Sequence, residues 1–130
     1  MQVPDDRIEL RCYWTWMEND GVARTKAKPF SEITLEDAKE NSKAVNSLSR
    51  SFYPLLIDAT EVKSITKEAR DYFSMNNRES KVVAFAILIK SPLSKIIANF
   101  FMGLNKPRVP IKIFTEENKA TEWCRSFLNN

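Results

Sequence analysis

Apolar and polar residues alternate strictly between residues 7 and 17. Ile8, Leu10, Cys12, Trp14 and Trp16 share one side, and Glu9, Arg11, Tyr13 and Thr15 share the other. A period of two predicts one strand with the first set facing the core. Asn19-Asp20-Gly21 follows, three residue types that tolerate positive φ, so a hairpin is expected to lead into a return strand over residues 22–25. Lys26-Ala27-Lys28-Pro29 reads as a polar connector.

From residue 34 the period lengthens. Thr34, with Asp37 three residues on, is a weak form of the capping box. Leu35, Ala38, Ser42, Val45, Leu48 and Phe52 continue a thin helical face until Tyr53-Pro54 breaks it. Leu55-Leu56-Ile57 reads as a short buried strand ending at Asp58, and Thr66 caps a second helix whose inner face is Ala69, Tyr72 and Phe73. Residues 81–89 are apolar on both sides, as in a central parallel strand. Ser91-Pro92 opens a third helix with a full apolar stripe of Leu93, Ile96, Ile97, Phe100, Phe101 and Leu104. Ile111-Lys112-Ile113-Phe114 reads as an edge strand beside Pro110. Thr115 is expected to cap a last helix with Ala120, Trp123, Cys124, Phe127 and Leu128 turned inward.

The order is β-β-α-β-α-β-α-β-α. It predicts an α/β fold with a mixed, mostly parallel sheet, an N-terminal antiparallel hairpin and four packing helices, forming a single domain over residues 1–130.

Composition narrows the chemistry. The chain has 130 residues, 43% of them hydrophobic, which suffices for a core without disulfide or metal staples. No apolar run approaches the ~18 residues of a membrane span, and the first residues lack a basic start and an apolar stretch, so a cytoplasmic location is expected. Cys12 and Cys124 lie in apolar patterns and read as buried free thiols. There is no histidine, which removes Ser-His-Asp and Cys-His arrangements and the commonest metal ligand. The two glycines, Gly21 and Gly103, stand outside every strand-to-helix loop, so phosphate-cradling and dinucleotide fingerprints are absent. Glu36-Asp37 and Glu116-Glu117 sit at helix starts, where acids suit the macrodipole better than an acid/base pair. The chain is therefore read as non-enzymatic, with no catalytic residue, metal or cofactor.

Net charge is +3 and unevenly spread: residues 1–65 carry nine Lys/Arg against eleven Asp/Glu, residues 66–130 eleven against six. Between residues 80 and 115 there is no acid, against the six cations Lys81, Lys90, Lys95, Lys106, Arg108 and Lys112. This asymmetry points to an anionic partner, with a solvated face as the plainer reading.

Two surfaces are candidate sites. In open α/β sheets ligands gather at the carboxyl ends of the strands. Asp58, Thr60, Thr66, Lys67, Lys90, Ser91 and Thr115 are expected there, beside helix starts that can receive an anion or an acidic partner. The other is the outer face of the third helix, with Lys95, Ala98, Phe101 and Met102, flanked by Lys106 and Arg108. It suits a partner groove or an anionic membrane surface. A nucleic-acid platform is disfavoured, because Trp14 and Trp16 share their side with Ile8 and Leu10 and the N-terminal half is acidic.

Residues 55–69 resemble the anti-sigma-factor-antagonist family, also called SpoIIAA-like or STAS. Leu56-Ile57-Asp58-Ala59-Thr60, Val62 and Ile65 match its central motif in type and spacing, and the element order matches over nearly the whole chain. Ser91-Pro92-Leu93-Ser94, Asn99-Phe100-Phe101 and Asn105-Lys106-Pro107 look like a bacterial branch of that fold. The resemblance implies a protein-docking or regulatory module, with a protein partner or self-association as a homodimer. It also implies where the family's switch has gone. The helix-opening Asp is Thr66 here, the phosphorylated Ser is Lys67 and the Gly is Ala69, so the phosphoserine switch is lost and Lys67 offers a fixed cation to an acidic group. The fold is also similar to CRAL-TRIO lipid-transfer domains, which keeps a lipid or small anionic or hydrophobic ligand as the alternative.

Overall fold

A computed structural model describes residues 1–73, 80–90 and 109–128. In chain order its elements are β1 (Ile8–Glu9), β2 (Tyr13–Met17), β3 (Ala23–Ala27), β4 (Ser31–Ile33), α1 (Leu35–Asn46), β5 (Tyr53–Asp58), β6 (Val62–Ile65), α2 (Lys67–Phe73), β7 (Val82–Leu88), β8 (Ile111–Phe114) and α3 (Glu117–Arg125). Six strands form one sheet in the order β1-β2-β3-β5-β7-β8; β4 and β6 form a separate two-stranded sheet. β1, β2 and β3 pair antiparallel, while β3, β5, β7 and β8 run parallel. The expected mostly parallel sheet with an antiparallel hairpin is what forms. Three helices are described. The third helix read from the sequence, with Lys95, Ala98, Phe101, Met102, Lys106 and Arg108, lies outside the described residues.

The alternating stretch is not one strand. It folds back at residues 10–12, where the Leu10 N–H donates to the Tyr13 carbonyl at 2.8 Å, and β1 pairs with β2 through Ile8 opposite Thr15. Nor is one side dry and the other wet. Tyr13 and Thr15 are buried, as is Trp16. The reason is that helices cover both faces of the sheet. On one face Tyr13 and Ala27 pack with Ala38 of α1 and Ala69 of α2; on the other Leu56, Ala86 and Leu88 pack with Ala120 and Cys124 of α3. Thr15 is accommodated by polar partners: its hydroxyl donates to Asn41 Oδ1 at 2.6 Å and lies 3.0 Å from the Thr25 hydroxyl.

The hairpin forms at the expected turn, with Gly21 at φ +88°. Asp20 then ties it to α3, accepting from Arg24 and from Arg125. Thr34 and Asp37 form a complete capping box. α1 ends at Asn46, so Phe52 is not on its inner face but 71% exposed. Tyr53 and Pro54 do not merely break the helix; they begin β5. Pro54 has no N–H, and it stands at the register shift toward β7 and before the first β3 pair, Ala23 with Leu55. β4 and β6 were too short for a periodic signal.

The last helix corrects two expectations. Its N-cap is Glu116, with no side-chain cap bond, so Thr115 stands one residue outside and caps nothing. Phe127 lies at the surface, edge-on to Trp123 with ring centroids 4.7 Å apart, while Ala120 and Cys124 are buried.

Cys12 and Cys124 are free and buried. Burial raises both thiols; the neighbouring Asp37 carboxylate raises Cys12 further, and Cys124 reaches about 11. Neither thiol is expected to react with an aromatic disulfide reagent in the folded chain within the time that labels both in denaturant. Rapid labelling of either in the native protein would contradict their burial.

Candidate functional site

The parallel strands end in register. Lys26 of β3 pairs with Asp58 of β5, Asp58 with Leu88 of β7, and Leu88 with Phe114 of β8. Asp58, Lys90 and Thr115 therefore share the carboxyl edge of the sheet, as expected; Ser91 lies outside the described residues.

Asp58 is 3% exposed and fully engaged. One oxygen accepts from the Thr60 N–H at 3.0 Å and the Thr60 hydroxyl at 2.6 Å; the other accepts from Lys26 Nζ at 3.1 Å. Lys26 also reaches Glu61 at 3.4 Å. Burial alone would raise the Asp58 carboxyl. The two Thr60 donors and the Lys26 ammonium outweigh it and hold the group below its ordinary 3.8. An acid so held is a poor proton donor or acceptor near neutrality, and its bonds fix the turn from β5 to β6.

Thr66 caps α2, its hydroxyl accepting from the Ala69 N–H at 3.1 Å. Lys67 does not turn toward the helix start; its ammonium donates to Asp71 one turn on, at 2.9 Å on the exposed surface. Such a pair is worth a few tenths of a kcal/mol. Lys90 and Thr115 are exposed.

A neighbouring arrangement repeats the closure. Asp37, buried in the first turn of α1, takes the Arg11 guanidinium on both oxygens, Nε at 3.0 Å, and also accepts from the Thr34 N–H. Burial raises this carboxyl, and the Arg11 and Thr34 donors more than reverse it, to about 2. Lys28 Nζ donates to Glu9 at 2.9 Å and lies 5.3 Å from the centre of the Trp14 ring.

One residue of this edge was not anticipated. Phe30, which follows the polar connector and carried no reading, is 81% exposed at φ +60°, and its backbone N–H donates to the Glu61 carbonyl at 2.8 Å. The signal available was Pro29 at the first central place of a turn. Nothing in the sequence marked positive φ, since that position is ordinarily Gly or Asn.

Among the described residues, no three His, Cys, Asp or Glu side chains gather as a metal site, and no helix is long and apolar enough to cross a membrane.

Three comparisons bear on this arrangement. Residues 15–128 match the family described as Domain of unknown function (DUF7793). No curated protein matches the chain. The fold is similar to that of an uncharacterized protein of the DUF3478 family with a SpoIIAA-like fold from Shewanella loihica PV-4. That match has TM-score 0.58 and 21% identity, covering 86% of this chain and 91% of the other. It is also similar to an anti-sigma factor antagonist from Mycobacterium paratuberculosis, with TM-score 0.56 and 18% identity, covering 96% and 99%. The fold is SpoIIAA-like, as the motif at residues 55–69 implied.

Proposed function

The chain belongs to the DUF7793 family, a domain of unknown function, and from that premise and its fold we propose that it is a non-enzymatic, cytoplasmic docking module of STAS-like type. One observation carries the reading. At the carboxyl edge of the sheet Lys26 donates to both Asp58 and Glu61, and Asp58 also accepts from Thr60, so the edge is a rigid shape and not a set of poised proton carriers. A solved structure of this fold bears the name anti-sigma factor antagonist, a class named for opposing another protein, which supports docking as the mode of action.

The module acts without a phosphoserine switch. Lys67 occupies the acceptor position, and phosphate on Thr66 would displace a helix cap worth ~1 kcal/mol. It is therefore constitutively competent to bind.

The test is a photo-reactive benzoylphenylalanine placed in the full chain at Thr60, Lys67 or Lys90, and at Phe52 as a distant control, in the native host. Protein adducts are expected from the edge positions and not from Phe52. Phosphopeptide mapping should find neither Ser64 nor Thr66 modified. Failure of every edge position to give a protein adduct would remove the docking reading, and high phosphate occupancy at Thr66 would restore a switch.

A further inference from the structure

We draw no further inference here: the strongest candidate, the outer edge of β8, with half-buried Ile111 and Ile113 on one face and exposed Lys112 on the other, carries nothing, because nothing in the structure shows what covers it.

Discussion

Ile87→Ala is expected to destabilise the chain by about 2–5 kcal/mol, through lost burial and the cavity left behind. Ile87 is fully buried at the centre of the parallel sheet, in β7 between β5 and β8. It clusters with Ala59 and Ile89, and Ile57, Val62, Ile111 and Ile113 pack against them. Ala59 and Val62 flank the β5–β6 turn, so this cluster is the floor on which the docking edge rests. Phe52→Ala is the contrast. It removes a larger side chain that is 71% exposed, and should change stability by less than about 0.5 kcal/mol. Urea unfolding with linear extrapolation measures both. A loss below about 1 kcal/mol at Ile87 would show that the apolar core is not seated on this strand.

Asp58→Ala should cost about 2–4 kcal/mol, because it leaves the Lys26 ammonium without its main counter-charge and two Thr60 donors without an acceptor. Asp58→Asn keeps an acceptor for Thr60 and loses the ionic part, so about half of that cost is expected. Acid provides a second readout. The folded chain holds Asp58 below 3.8, and Asp37 at about 2. Between those depressed values and the ordinary carboxylate range the unfolded chain binds more protons than the folded one. The stabilisation is complete above about pH 5 and is lost as pH falls toward 2. In Asp58→Asn one of these carboxylates is gone, so stability should fall less steeply with acid than in the native chain. Equal slopes would mean that Asp58 is not held ionised by the fold. A variant as stable as the native chain would mean that the Lys26 pair contributes nothing to the turn.

The resemblance at residues 55–69 was legible because its residues are consecutive and their roles local. Asp58 ends a strand and Thr66 caps a helix, and both do so in the structure. The assignment of Lys67 to a partner's acid rested on sequence position alone. In space Asp71 is one helical turn away and pairs with it on the exposed surface. Thr115 failed as a cap because the helix began one residue later than its cap-forming side chain.

Phe30 shows the other limit. Its exposure follows from a turn conformation that its residue type opposes, and local rules assign an aromatic after a polar connector to the core. Phe52 misled because helical periodicity continued past the point where α1 ends. Which side of an element meets another element depends on residues distant in the chain.

By itself the sequence determined the N-terminal hairpin, the helices α1, α2 and α3, the parallel strands β5, β7 and β8 and the absence of histidine-based chemistry, because periodicity, caps and composition act over a few residues. Tertiary structure alone decided what becomes of the side chains between those elements. It turned one alternating stretch into two paired strands, buried Tyr13 and Thr15 beneath α1, and linked Arg11 to Asp37 across 26 positions. It also joined Lys26 to Asp58 across 32 positions and set Phe30 against Glu61. The physical reason is range. A hydrogen bond or ion pair acts over about 3 Å, and only the assembled sheet and helices bring residues so far apart in the chain within that distance.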